Sequence, residues 1–182
     1  MKAAVVGGGT WGTAFSRLLA DHGHEVTLVC RDPDQASTIA ETGRNPRYLP
    51  GVDLRDVTAD GDVPAGADVY VLAVPSRAFA DVAAALPAGG AALSLTKGLD
   101  PASGERLSTL VRDRPVAVLS GPNMAEEIAV GLPSAAMTSR WSGATPPSER
   151  RSPRRSSCRS PYPAACSARS PGRFPVRRRS SS

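Results

Sequence analysis

Three consecutive glycines stand at positions 7 to 9, straight after a short apolar run, and a fourth follows at Gly12. Residues 2–7 read KAAVVG, which predicts a buried strand ending in a tight turn. Trp11, Phe15, Leu18 and Leu19 then recur at spacings of three and four, the period of one helix face, and Gly23 predicts the end of that helix. A G-x-G-x-x-G pattern between a strand and a helix, at the start of a β-α-β unit, points to a dinucleotide site. Gly7 permits the turn, Gly9 lets the backbone approach a pyrophosphate, and Gly12 lets the helix pack on the strand. Free N–H groups and the dipole at the helix start favour phosphate charge. The alternative is a tight turn without a ligand.

The alternation continues. Residues 25–30 (EVTLVC) predict a second strand. Asp32-Pro33 predicts a helix start, with Asp as cap and Pro at the first position, and that helix ends near Gly43. Residues 54–58 predict a weaker third strand and residues 68–74 a strong fourth, broken by Pro75-Ser76. A helix faced by Phe79, Val82, Ala83 and Leu86 follows, then a strand over 91–96, a helix over 104–112 and a strand over 116–120. A helix from about Met124 to Val130 and a strand opening within 134–138 complete the pattern. This order predicts an α/β fold, a Rossmann-type doubly wound, mainly parallel sheet with helices on both faces. Ligands of such sheets bind at the carboxyl ends of the strands. The glycine turn, Cys30-Arg31, Pro75-Ser76, Lys97-Gly98 and Gly121-Pro122-Asn123 all fall on that edge.

The end of the second strand bears on cofactor choice. Sites for NAD usually place Asp or Glu there, to take the ribose 2′-OH. Here Arg31 follows Cys30 and suits a 2′-phosphate, so NADP(H) is expected to be accepted, with NAD(H) left open through Asp32. The alternative for Arg31 is a surface pair with Asp32 or Asp34. Lys97 is the only lysine besides Lys2, against 20 arginines, which suggests a compact ammonium for a substrate oxygen or phosphate rather than a solvated loop charge. Gly121 allows close backbone approach, and Asn123 is expected to cap the next helix while bonding a ligand, with capping alone as the alternative.

The net charge of +5 averages two unlike pieces. Residues 1–139 hold 11 Lys and Arg against 16 Asp and Glu, whereas residues 140–182 hold 11 Arg, 11 Ser and 7 Pro with a single acid, Glu149. So little apolar surface cannot offset the ordering entropy, so 140–182 are expected to be a disordered tail and 1–139 the folded domain. The tail's five Arg-Ser dipeptides give an alternative reading, a dinucleotide-binding fragment whose basic tail binds nucleic acid. Aromatics are sparse there, so nucleic acid is not the expected partner. No apolar run has the length of a membrane span or a signal peptide, and a cytoplasmic protein is expected. Cys30, Cys158 and Cys166 have no metal-ligand or disulfide-framework spacing, and no metal is expected.

Five segments in order carry a family resemblance: residues 7–14 (GGGTWGTA), 45–51 (NPRYLPG), 74–77 (VPSR), 96–99 (TKGL) and 120–136 (SGPNMAEEIAVGLPSAA). Together they resemble bacterial NAD(P)-dependent glycerol-3-phosphate dehydrogenase. The resemblance implies an oxidoreductase that reversibly reduces dihydroxyacetone phosphate to sn-glycerol 3-phosphate, a phospholipid head-group precursor, with a homodimer compatible with the full-length enzyme. It implies cofactor contacts at Gly7, Gly9, Thr10, Trp11, Gly12, Arg31, Tyr48 and Ala125. Lys97 is implied to touch both cofactor and substrate, and Gly121 and Asn123 to bind substrate. The family's helical second domain, with its proton-handling lysine, has no counterpart here. The likeness stops near Thr138, and an Arg/Ser/Pro tail in a chain rich in Ala, Gly and Arg is what a shifted reading frame in a GC-rich gene produces. Weak cofactor binding at best and negligible turnover are therefore expected of the chain as written.

Overall fold

The computed structural model describes residues 1–141. Strand β1 (Lys2–Val6) leads into α1 (Thr10–Asp21), β2 (Glu25–Val29) into α2 (Pro33–Thr42), and β3 (Val57–Asp60) closes the first half. The second half runs β4 (Val69–Leu72), α3 (Ser76–Ala84), β5 (Ala91–Ser94), a 3₁₀ turn (Leu107–Leu110), β6 (Val116–Ser120), α4 (Ala125–Ala129) and β7 (Met137–Trp141). The sheet order is β3-β2-β1-β4-β5-β6-β7, parallel throughout except for the β6–β7 pair. The chain winds outward from β1 to β3, then returns to β4 on the other side of β1. The crevice over β1 and β4 is the switch point at which such sheets take ligands.

Both faces of the sheet are covered, which is why β1 and β4 are apolar at nearly every position. Alternate residues serve opposite cores. Ala4, Val6, Tyr70 and Leu72 pack with Phe79 and Ala83 of α3 and with Leu107 and Val111. Val5 and Val71 pack with Phe15 of α1 and with Ala36 and Ile39 of α2. Each fully buried Val, Leu or Phe contributes about 1.5–3 kcal/mol relative to exposure. Helix α2 is bounded as its residues predict: the Asp32 side chain accepts from the Asp34 N–H at 3.1 Å, Pro33 opens the helix, and Gly43 ends it with φ of 66°.

Three elements differ from the sequence expectation. The third strand begins at Val57 rather than 54, because Leu54 fills the core from a turn: its N–H donates to the Gly43 carbonyl at 2.8 Å and its carbonyl accepts from Val57 at 2.9 Å. The helix over 104–112 is only the four-residue 3₁₀ turn. The Asp100 carboxylate accepts from both the N–H and the hydroxyl of Ser103, at 2.9 and 2.6 Å, and Leu99 bridges to Arg106. These bonds hold the preceding stretch as a loop. The final strand lies at Met137–Trp141 and runs antiparallel, crossing the boundary drawn at residue 139. The expectations for the tail, including its disorder, its frame and its nucleic-acid alternative, fall from residue 142 onward outside the described residues. Among the described residues no helix is long and apolar enough to cross a membrane.

Candidate functional site

The glycine turn nests β1 into α1. Gly7 adopts φ of 117°, its N–H donates to the Val29 carbonyl at 2.9 Å, and a Cβ there would lie 2.5 Å from the Ala73 carbonyl oxygen. A Cβ on Gly12 would collide with the Gly7 carbonyl, so the helix can approach the strand only as glycine. Around Gly9 the situation is reversed: nothing lies within 4 Å of the place a Cβ would take. Gly9 caps α1 without any side-chain hydrogen bond, and the first turn, Thr10 to Gly12, holds no acid. An open helix start with uncommitted N–H groups is an anion seat. The residues therefore fit a pyrophosphate, in the place the motif predicts.

Behind the turn lies a polar cluster that sequence reading did not find. Asn45 is fully buried, and its Nδ2 donates to the Gly8 carbonyl at 3.0 Å and to Thr13 Oγ1 at 2.8 Å. Gln35 Nε2 donates to the same Gly8 carbonyl at 2.7 Å and to Asn45 Oδ1 at 3.1 Å. Asn45 Oδ1 also accepts the backbone N–H groups of Arg47 and Tyr48, at 3.2 and 3.3 Å. The loop after α2 is thereby fastened to the phosphate turn. The one available signal was positional: Gln35 stands four residues before Ile39, on the face of α2 that packs inward.

At the end of β2, Cys30 is fully buried, and a Cβ on Gly8 would sit 2.5 Å from its Sγ. Burial, with a smaller contribution from the Asp32 charge, pushes the Cys30 thiol up to about 11, so it stays protonated at neutral pH. Arg31 is exposed and makes no ion pair among the described residues. Asp32 instead pairs with Arg47, Nη1 to Oδ2 at 2.6 Å. The surface alternative for Arg31 is thus not the arrangement found. Tyr48 is 41% exposed beside this pair in sequence, its N–H held by Asn45.

The other half of the edge gathers the remaining candidates. Thr96 Oγ1 donates to the Val74 carbonyl at 2.8 Å, tying the end of β5 to that of β4. The next residue, Lys97, is exposed and sets its Nζ 5.5 Å from the centroid of the Trp11 ring. A cation at that range is held by the ring's electron-rich face. The contact joins the glycine turn to the lysine. At Gly121 a Cβ would lie 2.7 Å from the Ala135 carbonyl oxygen, so backbone packs on backbone after β6. Asn123 does not cap α4, contrary to expectation: the cap position is Met124, one residue later, and it too lacks a side-chain bond. Asn123 is 6% exposed, and neither its Oδ1 nor its Nδ2 has a hydrogen-bond partner. Such a group carries a desolvation cost that a polar ligand would relieve. Ala125, buried, opens α4. No hydrogen bond joins Asn123 to Lys97. Among the described residues no group of three or more His, Cys, Asp and Glu could hold a metal ion.

A mainly parallel seven-stranded sheet with an uncapped helix start at its switch point defines a Rossmann-type α/β domain. Residues 2–142 match the family described as NAD-dependent glycerol-3-phosphate dehydrogenase N-terminus, and the chain belongs to that family. It is 45% identical over 152 residues to a glycerol-3-phosphate dehydrogenase (NAD(P)+) of Nocardia farcinica, covering 74% of this chain and 45% of that relative. A protein of the same name from Xanthomonas campestris pv. campestris is 42% identical over 147 residues, covering 74% of this chain and 43% of the relative. The crystal structure of glycerol-3-phosphate dehydrogenase from Coxiella burnetii superposes with a TM-score of 0.70 at 32% identity, over 76% of this chain and 46% of that one. The chain thus spans just under half the length of these relatives.

Proposed function

We propose that this chain is the coenzyme-binding part of an NAD(P)-dependent glycerol-3-phosphate dehydrogenase. In this reading a nicotinamide coenzyme and dihydroxyacetone phosphate meet over the carboxyl ends of β1, β4, β5 and β6, and the product is sn-glycerol 3-phosphate. The observation that carries it is the open start of α1 at Gly9, two residues before Trp11 and its contact with Lys97. When bound, the coenzyme supplies the hydride for the substrate's C2. The N–H groups of the first turn of α1 hold the pyrophosphate. The Lys97 ammonium binds the substrate's developing oxyanion or its phosphate, where a compact charge is worth most. Asn123 offers a donor and an acceptor together, which suits a hydroxyl or phosphate brought against it. Gly121, Tyr48, Arg31 and Ala125 complete the contacts. The proton for the C2 oxygen is assigned to the part of the relatives' length that this chain does not span. A cytoplasmic setting and a role in glycerophospholipid synthesis belong to the same reading.

The test is titration of the 182-residue chain carrying Trp141→Phe, which leaves Trp11 as its one indole. NADPH or NADH is expected to change Trp11 emission and raise the melting temperature. Dihydroxyacetone phosphate is expected to give negligible coenzyme oxidation with this chain alone. Unchanged emission and melting with both coenzymes would overturn the reading.

A further inference from the structure

The end of β2 holds one feature that the proposed cofactor contacts do not use. Adenosine ribose falls at this strand end in folds of this class. The carboxylate available there for a ribose hydroxyl is Asp32, yet both of its oxygens are engaged. Oδ1 accepts from the Asp34 N–H at 3.1 Å, and Oδ2 pairs with Arg47 at 2.6 Å. A carboxylate neutralised in this way repels a 2′-phosphate far less than a bare one. Arg47 comes from the loop after α2, and its backbone is pinned: its N–H donates to Asn45 Oδ1 at 3.2 Å. Asn45 in turn grips Gly8 and Thr13 in the glycine turn. The base of Arg47 is therefore held at a fixed distance from the pyrophosphate seat. Its guanidinium is not, being 60% exposed. Exposed ion pairs are weak, so leaving Asp32 costs little. Arg31, exposed and outside any ion pair among the described residues, stands next to the same carboxylate in sequence.

Resting on the coenzyme-binding reading above, we propose that Arg47 is a cofactor-selecting residue. It closes on Asp32 when the ribose carries a free 2′-hydroxyl, and turns with Arg31 onto the 2′-phosphate when NADP(H) binds. A guanidinium binds a phosphate dianion in a bidentate, charge-assisted way, and this outcompetes the exposed carboxylate. With Arg47 turned away, Asp32 no longer has a counterion, but the incoming phosphate is already matched by two guanidinium groups. With Arg47 on Asp32, each carboxylate oxygen accepts one bond and keeps a second lone pair that a ribose hydroxyl can use. One strand end thus serves both coenzymes by exchanging a single ion-pair partner.

The experiment measures NADPH and NADH dissociation constants by calorimetry, at low salt, for the parent chain, Arg47→Gln, Arg47→Lys and Asp32→Asn. Arg47→Gln is expected to weaken NADPH about tenfold and to change NADH less than about twofold. Arg47→Lys retains charge without the fork and is expected to fall between. Asp32→Asn is expected to act in the opposite sense, weakening NADH while NADPH binds as tightly as before or tighter. Adenosine 2′,5′-bisphosphate against adenosine 5′-monophosphate, as competitors, gives the same comparison without the nicotinamide. If Arg47→Gln weakens both coenzymes equally while the melting temperature holds, the selector is overturned and the coenzyme-binding reading survives. If the parent chain binds neither coenzyme, both fall together.

Discussion

The two halves of the ligand edge are finished to different degrees. On the side of β1 and β2 both buried amides are committed: Gln35 and Asn45 bond each other and the Gly8 carbonyl, and Asn45 bonds the Thr13 hydroxyl, although the Ser16 hydroxyl of α1 has no partner. On the side of β5 and β6, Asn123 and Ser94 carry buried polar atoms with no partner. Leu99, Met124, Val130, Leu132 and Met137 lie exposed around the same side, at 55% to 72% of their full accessibility. A closed polar cluster is a preformed seat, whereas unpaired amides and bare apolar side chains belong to a surface that something else completes. Under the proposed function, the first half is the coenzyme seat and the second the beginning of a substrate site.

Four perturbations test that contrast. The largest effect is expected from Gly12→Ala, whose new methyl must displace the Gly7 carbonyl; a loss of about 3 kcal/mol in urea unfolding, with loss of coenzyme binding, is the expected result. Near-parental stability would mean that the turn is not the rigid seat described. Asn45→Ala strips partners from Gly8, Gln35 and Thr13 at once, and a loss of about 2–3 kcal/mol is expected. It should weaken both NADH and NADPH by loosening the glycine turn, whereas Arg47→Gln should act chiefly on NADPH.

A smaller effect belongs to Cys30, behind the same turn. Its thiol titrates at about 11 in the fold against an ordinary 9.0, so the native state keeps a proton that the unfolded chain releases first. Stability from this source is complete below pH 9.0 and is lost as pH rises through about 11. Urea midpoints over that window should fall in the parent and fall less in Cys30→Ala. The smallest effect on stability is expected from Asn123→Ala, under about 1 kcal/mol in either direction, because its amide has no bond to lose. A cost as large as that of Asn45→Ala would erase the distinction between the two halves.

Legibility in the sequence followed the same division. The glycine turn, the capped start of α2 at Asp32-Pro33 and the apolar strands were readable because each is set by neighbours within a few residues. The polar cluster was not, since Gly8, Thr13, Gln35 and Asn45 lie far apart in sequence and no period links them. Residues 104–112 misled for a related reason. Leu107, Leu110 and Val111 have the spacing of a helix face, but Arg106 is drawn into a bridge with Leu99 and only Leu107–Leu110 closes, as a 3₁₀ turn. At Asn123 the residue type suggested a cap, while the helix begins one residue too late to use it. Of the candidate contacts, the Trp11–Lys97 approach unites two that were singled out separately, and Arg47 was passed over in favour of its neighbour Tyr48.

Because Gly8 receives amides from the first turn of α2 and from the loop just beyond its end, through Gln35 and Asn45, that helix works as a ruler. Deleting one residue between them would rotate everything beyond by about 100° and shorten the span by about 1.5 Å. The ribose-side loop would then lose its register with the phosphate turn. Insertions and deletions should therefore be rejected between positions 35 and 45, while the exposed turn at Gly61, which holds no such grip, should accept them.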